Sequence, residues 1–354
     1  MYGFVPERVL SWAYRKTLIL EEIKGIDADI VCLQELDKAS YDDFFRAELS
    51  IRGYKGYYAQ KSRAETLGEN AKFVDGCGTF WKDKKYMVLD TQHLVLGRKA
   101  VQRPGGKASA DMLNRVWQRD DIATVVFLEN RVTGSRVIVI NTHIFWDPAF
   151  KDVKLIQAAV LMEELSKLAE KYAKHPPATN KQAFRFSDAE DTVNDPLPEP
   201  GPSLEYSSAT AIPMIICGDF NSGSESAVYD LMTKKGMDAD HADLNGRDYG
   251  SFSRGGMSHS FTLKSAYSAI GSDMPFTNYT PDFKDNLDYI WYSSNSLRVM
   301  GVLGAVDPEY LKRVPAFPNF HFPSDHLALV AEFKVEKPRN VQKVEADFGP
   351  SAKK

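Results

Sequence analysis

The chain has 354 residues, of which 43% are hydrophobic and 12% aromatic, enough for a substantial core. A net charge of −4 neither favours nor excludes a nucleic-acid partner, since metal ions and a local basic rim can offset phosphate repulsion. Three cysteines exclude a disulfide framework, and no apolar stretch has the length of a membrane span, so we expect an intracellular protein with no membrane partner.

The first half of the chain mixes helices with strand-like runs. Helical spacing of apolar residues predicts a helix over 14–26, and a polar helix is expected over 40–49. Apolar runs of strand length lie at 27–35, 76–81, 86–96, 122–129 and 136–143. The last two are joined by "NRVTGS", a plausible hairpin turn.

The second half opens with the longest clear helix, at 150–175. Residues 174–210 contain six of the 18 prolines and few large apolar groups, so we expect a disordered insertion within one domain over 1–335. Further strands are predicted in "MIICGDFNS" (214–222) and at 286–293, 296–303 and 326–335, and the remainder, 336–354, is a polar tail.

Strands come in hairpin-like pairs in some places and are separated by helices in others. A strict alternation of strand and helix would predict a single parallel sheet, which this order does not fit. The mixture predicts a four-layer α/β sandwich, in which two packed mixed sheets are flanked by helices.

Polar residues stand at the ends of the apolar runs. Glu35, His143, Asp219 and Asn221 follow strands, whereas Asp288, Asp325 and His326 precede them. Strand spacing would point Asp219 and Asn221 the same way. Any one of these residues alone is well explained as a cap or a turn, but the set from both halves of the chain favours one polar site.

Glutamate and aspartate without a zinc-type Cys/His spacing suit hard cations, so Mg²⁺ is the expected metal and Mn²⁺ the alternative. Two such ions, a carboxylate base and a histidine are the equipment for phosphodiester hydrolysis.

The motifs "CLQE", "NTH", "GDFNS", "LDYIW" and "SDH", in this order, resemble the endonuclease/exonuclease/phosphatase superfamily. Longer stretches such as "THIFWDPAFKDVKLIQ" and "PFTNYTPDFKDNLDYIWYS" are similar to the catalytic domain of the carbon-catabolite-repressor type deadenylases. The resemblance implies a DNase I-like fold and a Mg²⁺-dependent 3′→5′ exoribonuclease that shortens the poly(A) tail of mRNA and releases 5′-AMP. It also implies single-stranded poly(A) RNA and the Not deadenylation complex as partners, in cytoplasm and nucleus.

The same resemblance implies a role for each site residue. Glu35 would be the principal Mg²⁺ ligand, Asp219 the general base beside the second metal ion, and Asp325 a further ligand. Asn221 and His143 would contact the scissile phosphate, and Asp288 would orient His326 toward it.

Recognition of adenine is expected from Asn278 at a base edge, with Phe283 and Pro148 stacking on the base. Core packing is the alternative for Phe283, and a helix-start role is the alternative for Pro148. A basic rim for RNA is one reading of Arg98, Lys99, Arg103 and Lys107, and a solvated loop is the other.

The chain departs from the family pattern at its start. The first strand, which carries an asparagine near the metal, and the leucine-rich docking segment are both expected to be missing. The missing strand leaves open a truncated, non-catalytic RNA-binding form. A phosphodiesterase or phosphatase of the same fold that acts on a dinucleotide, a phosphoinositide or abasic DNA is a second alternative, because fold and metal chemistry would be shared.

Overall fold

The computed structural model describes residues 2–103, 108–182 and 199–336. Within these ranges the α-helices are α1 Glu7–Leu10, α2 Trp12–Ile26, α3 Lys38–Ser40, α4 Arg46–Ile51, α5 Leu96–Val101, α6 Lys151–Ala173, α7 Ala227–Lys234, α8 Phe252–Gly255 and α9 Pro308–Leu311. The first eight strands are β1 Ile30–Asp37, β2 Tyr54–Gln60, β3 Asp75–Lys82, β4 Tyr86–Val95, β5 Ile122–Asn130, β6 Arg136–His143, β7 Met214–Asp219 and β8 Gly236–Met237. The others are β9 Met257–Ser258, β10 Leu263–Ser265, β11 Asn278–Tyr279, β12 Lys284–Asp285, β13 Asp288–Ser293, β14 Leu297–Val302 and β15 Ala331–Val335.

Two sheets form the centre of the fold. The larger has six strands in the order β10-β13-β7-β6-β5-β4, and the parallel pairing of β6 with β7 makes it a mixed sheet. The smaller has the order β1-β3-β2 with antiparallel pairing throughout. Three two-stranded sheets, β11-β12, β14-β15 and β8-β9, complete the pairing in the described ranges.

Strand β5 shows how the layers are held together. Successive side chains of a strand point to opposite faces, so an apolar run buried on both faces serves two cores. Val125 and Phe127 join the large core that includes α6, whereas Val126 and Leu128 pack with Trp81 of the smaller sheet. The predicted sandwich of two packed sheets with helices outside is therefore confirmed.

The strand predicted at 326–335 begins later, at Ala331. The backbone before it pairs elsewhere: Leu327 donates to the carbonyl of Thr277 at 2.7 Å, and the amide of Tyr279 donates to the carbonyl of Asp325 at 3.0 Å. Asn278 and His326 face each other in an isolated antiparallel bridge. The prediction was wrong at this point because a local apolar pattern carries no information about which segment supplies the pairing partner.

The two described flanks of the predicted insertion 174–210 contact each other and strand β5. Lys181 is buried, pairs with Glu129 at 2.5 Å and donates to the carbonyl of Gly201 at 2.7 Å. Ser203 also donates to Glu129, at 2.7 Å. The central part of the predicted insertion, 183–198, and the predicted tail after residue 336 lie outside the described residues.

In the part of the chain that the structure describes, no helix combines the length and the apolar character needed to cross a membrane.

Candidate active site

The strand order brings three of the predicted residues to one edge of the larger sheet. Asp219 ends β7, which lies between β6 and β13. His143 is its register partner in the parallel pair, and Asp288 is its register partner in the antiparallel pair. Residues from positions 143, 219 and 288 are therefore neighbours because of sheet topology alone.

Asn221 reaches the site by a turn and not by strand alternation, which corrects the expectation that it shares a strand face with Asp219. Strand β7 ends at Asp219, and Asn221 has a φ of 45°. The backbone amide of Asn221 donates to Asp219 Oδ1 at 2.7 Å. Its side-chain Nδ2 donates to the carbonyl of Ile144 at 3.1 Å and to His143 Nε2 at 3.1 Å. Asn221 therefore holds the side chains of Asp219 and His143 in position relative to each other.

Asp288 and His326 form a hydrogen-bonded pair. His326 Nδ1 donates to Asp288 Oδ2 at 2.8 Å, and Thr277 Oγ1 donates to the same oxygen at 2.6 Å. Burial alone would lower the pKa of His326, but the carboxylates of Asp288 and Asp219 raise it to about 10. His326 is thus an imidazolium at neutral pH, with Nε2 lying 4.0 Å from Asp219 Oδ2.

Asp219 is a buried carboxylate with few donors. Its side chain lies 3.5 Å from His143 Nε2, and ligand atoms of Asp219, Asp288 and His326 all lie within 4.8 Å of one another. Burial and the charge of Asp288 raise the pKa of Asp219. A cation bound here would relieve both effects, so the donor set fits a hard divalent metal ion.

Glu35 lies at an irregular point of β1. The register with β3 shifts between Leu33 and Leu36, which places one extra residue on β1, and Glu35 has a φ of 54°. A bulge of this kind redirects a side chain. The carboxylate is exposed and its Oε1 lies 4.0 Å from His143 Nδ1, so Glu35 faces the same site from the smaller sheet.

His143 is held in its neutral form. Burial and the charge of Lys61 lower its pKa to about 3. Because Nε2 accepts from Asn221, the proton resides on Nδ1, which is buried without a hydrogen-bond partner. A buried donor without a partner is costly in a folded protein, and the carboxylate of Glu35 lies 4.0 Å away, beyond hydrogen-bond distance.

Lys154 belongs to the site although the sequence analysis did not include it. It lies in the first turn of α6, is 5% exposed, and its Nζ donates to the carbonyl of Asn221 at 2.6 Å. Burial lowers its pKa to about 8, against the effect of Asp219. A signal was present: Lys154 falls on the same helical stripe as Leu161 and Leu165, where an apolar residue would be expected.

A second lysine outside the predicted set, Lys61, also lies near the site. It pairs with Asp75 at 2.8 Å and lies 3.9 Å from Asp121. Its charge contributes to the lowered pKa of His143, so Lys61 acts on the site electrostatically.

The predicted adenine-binding residues differ in their local structure: Asn278 begins β11, whereas Phe283 and Pro148 lie in connecting segments. Asn278 is 5% exposed and lies opposite His326. Phe283 is 46% exposed in the turn between β11 and β12, where the amide of Thr280 donates to its carbonyl at 2.8 Å. Pro148 is exposed in the segment between β6 and α6. The core-packing alternative for Phe283 is therefore excluded.

Asp325 and the basic residues have other partners. Tyr2 donates to Asp325 Oδ2 at 2.6 Å, so a metal-ligand role for Asp325 stays a prediction. Arg98, Lys99 and Arg103 pair respectively with Glu65 at 2.7 Å, Glu164 at 3.0 Å and Glu163 at 2.6 Å. These pairs favour a structural role over a free basic rim, and Lys107 lies outside the described residues.

Comparison with known proteins agrees with this geometry. Residues 1–326 match the model of the Endonuclease/Exonuclease/phosphatase family. The chain is 58% identical, over 359 residues, to the "CCR4-Not complex 3′-5′-exoribonuclease subunit Ccr4" of Coccidioides immitis, with 100% of this chain and 47% of that protein covered. The protein of the same name from Aspergillus fumigatus is also 58% identical, over 351 residues, covering 99% of this chain and 50% of its own. The chain thus spans about half the length of these curated relatives.

Two solved structures share the fold. The structure of ANGEL2, a 2′,3′-cyclic phosphatase, has a TM-score of 0.67 at 24% identity, covering 94% of this chain and 89% of its own. The human Nocturnin catalytic domain has a TM-score of 0.59 at 24% identity, covering 92% and 88%. At this identity the likeness concerns the fold alone.

Proposed function

Since this chain belongs to the endonuclease/exonuclease/phosphatase family, we propose that it is a Mg²⁺-dependent 3′→5′ exoribonuclease that shortens poly(A) tails and releases 5′-AMP. The observation that carries the proposal is that an acidic and a cationic side chain lie next to each other in the candidate site. A poorly compensated carboxylate, Asp219, lies 4.0 Å from an imidazolium, His326, which is held by Asp288. The names of the fungal relatives, 3′-5′-exoribonuclease subunits, support the choice of reaction.

Glu35 and Asp219 are the residues that would hold the metal. His326 is a poor ligand because it is protonated and donates to Asp288. When bound, divalent cations stabilise the negative charge that develops on the attacking and leaving oxygens of a phosphodiester.

The protein groups divide the remaining work. Asp219 accepts the proton of the attacking water, and a raised pKa brings this base closer to neutral pH. His326 donates to the phosphate oxygens, where charge develops as the new P–O bond forms, and His143 is a further phosphate contact. The bond to the 3′-oxygen of the preceding nucleotide breaks, that oxygen takes up a proton, and the terminal nucleotide leaves as 5′-AMP.

Preference for adenosine is proposed to reside in Asn278, Phe283 and Pro148. Phe283 supplies an exposed ring for stacking, and Asn278 lies beside His326, where it can reach the edge of the terminal base. Pro148 would cover the other face of the base.

A single assay tests the proposed function. A 5′-labelled RNA that ends in a run of adenosines is incubated with the chain and Mg²⁺, and the products are separated by length. We expect a descending ladder and 5′-AMP, both abolished by chelation of the metal. Absence of a ladder, together with hydrolysis of a dinucleotide, a phosphoinositide or abasic DNA, would overturn the proposal in favour of another phosphodiesterase or phosphatase. RNA binding without any hydrolysis would favour a non-catalytic form.

Membership of a CCR4-Not complex, and action in both cytoplasm and nucleus, are proposals that rest on the relatives' names and on sequence resemblance. Affinity purification of the tagged native protein, followed by identification of co-purified subunits in each cell fraction, tests both. Recovery without other subunits of such a complex would contradict the first.

A further inference from the structure

Trp146 is an exposed indole next to the candidate site. It is 66% exposed, more than any other large hydrophobic side chain in the described ranges, and it follows His143 by three residues. The backbone between them is fixed, because the amide of Ile144 donates to the carbonyl of Asp219 at 3.1 Å and its carbonyl accepts from Asn221. The backbone that carries the indole is therefore anchored beside Asp219 and Asn221.

Two phenylalanines and an arginine support this position. The rings of Phe145 and Trp146 lie 6.2 Å apart, and those of Phe145 and Phe150 meet edge to face at 5.4 Å. The guanidinium carbon of Arg119 lies 4.4 Å from the centre of the Phe145 ring and 5.1 Å from that of Phe150. The Arg119 guanidinium and the exposed Trp146 indole thus both lie next to the packed rings of Phe145 and Phe150.

Arg119 differs from its neighbour Arg115. Arg115 binds Asp152 through two nitrogens, whereas no acidic residue in the described part of the chain pairs with Arg119, whose buried Nε has no hydrogen-bond partner. The one carboxylate of the 145–150 segment, Asp147, accepts from the amide of Ala149 in its own loop at 2.8 Å. The guanidinium is left with unused donors, which suits an anionic ligand.

We propose that Arg119 and Trp146 form a second RNA-binding site, which holds one nucleotide of single-stranded RNA upstream of the scissile bond. The base stacks on the Trp146 indole, and a backbone phosphate binds the Arg119 guanidinium. Proteins that bind single strands without base specificity combine these two elements, because every base has a stacking face and every nucleotide a phosphate. The inference rests on the proposed function and adds a contact that is independent of adenine recognition.

Binding to a labelled oligoadenylate tests the site without hydrolysis. Fluorescence anisotropy is measured in the Asp219→Asn background at several salt concentrations. Trp146→Ala should weaken binding about tenfold. Arg119→Gln should weaken it and also reduce the slope of log K against log salt by about 0.7, the value for one phosphate contact on a single strand. Trp146→Ala should leave that slope unchanged.

Two controls keep the test specific. Ile51→Ala removes a side chain of similar exposure, 64%, ahead of the start of β2, where β2 pairs with the end of β3 remote from Glu35. It should bind as the parent does. Trp146→Phe retains a stacking ring and should stay near the parental affinity, whereas a fold-related loss would follow any change at this position and would lower the melting temperature.

The outcomes separate this inference from the proposed function. If the wild-type chain degrades A-tailed RNA while both variants bind as tightly as the parent, the second site is overturned and the proposed function stands. If the variants lose affinity as stated but the wild-type chain hydrolyses no RNA, the site stands and the proposed function falls.

Discussion

Two buried aspartates, Asp152 and Asp219, show what separates scaffold from site in this protein. Their residues are 3% and 6% exposed, so both carboxylates have lost most of their water. Asp152 accepts hydrogen bonds from Arg115, Arg247 and Tyr249. Burial alone would raise its pKa, but Arg115 and Tyr249 lower it. For Asp219, burial and the charge of Asp288 act in the same direction and raise the pKa.

The two carboxylates are about equally buried, and they differ in how fully hydrogen-bond donors and cations surround them. A carboxylate surrounded by cationic and hydroxyl donors is satisfied by the fold and contributes to its stability. Asp219 faces a second carboxylate, and its partners within the chain, the backbone amide of Asn221 and the imidazolium of His326, do not offset burial and that charge, so its pKa stays raised. Asp152 thus fixes the start of α6, and Asp219 is available for chemistry.

Replacing Asp219 gives the largest expected effect. Asp219→Asn should lower the rate of RNA hydrolysis about 10³-fold, because the proposed general base is lost. The melting temperature in the absence of metal should stay the same or rise, since a buried charge facing Asp288 is removed. Rates come from single-turnover hydrolysis and stability from thermal unfolding. A variant within tenfold of wild-type activity would place the base elsewhere.

Lys154 links the two aspartates, because it follows Asp152 by two residues and binds the carbonyl of Asn221 beside Asp219. Lys154→Met should lower kcat by about 10²-fold with little change in KM, because the catalytic turn loses its position. Lys154→Arg should restore part of the rate. Lys151→Met, at an exposed lysine in the same turn, is the matched control and should behave as wild type. A loss confined to KM would indicate substrate contact and not positioning.

Asp152→Asn should have the opposite signature to Asp219→Asn. Removal of the charge that holds two arginines should lower the free energy of unfolding by about 2–3 kcal/mol, measured by denaturant titration. Activity per folded molecule should stay close to wild type in conditions where the variant is folded. Full stability with lost activity would mean that Asp152 acts in catalysis, and the contrast drawn above would fail.

Addition of Mg²⁺ should produce the smallest change. A ligand that binds only the folded state stabilises it by RT ln(1 + [L]/Kd), so the melting temperature should rise by about 2–5 °C when Mg²⁺ greatly exceeds its Kd. The increment should persist in Asp152→Asn and disappear in Asp219→Asn. An equal increment in both variants would locate the cation outside the Asp219 cluster.

The sequence predicted the layers and the strand-end residues because both depend on local patterns. The apolar run at 122–129 indicated the strand that became β5, and polar residues after such runs marked Glu35, His143 and Asp219. The cluster around Asp152 could not be predicted in this way. It joins Asp152 to Arg115, Arg247 and Tyr249, the last of which is 97 positions away in the chain, and no local spacing encodes such contacts.

The same limit explains the errors. Asn221 leaves the strand through a left-handed turn, which is stabilised by contacts to His143, Ile144 and Lys154 that come from other elements. The late start of β15 follows from pairing with residues 277–279, which are about 50 positions earlier in the chain. Local apolar periodicity identifies an extended segment but not its neighbour.

The left-handed backbone at Glu35 has an evolutionary consequence. This conformation costs a side-chain-bearing residue about 1–2 kcal/mol relative to glycine, whereas the proposed metal site needs a carboxylate there. Selection for folding alone should therefore favour glycine at position 35, and selection for activity should retain glutamate. A library selected in the two ways would diverge at this one position, which makes Glu35 a marker of whether a descendant of this chain is still under selection as an enzyme.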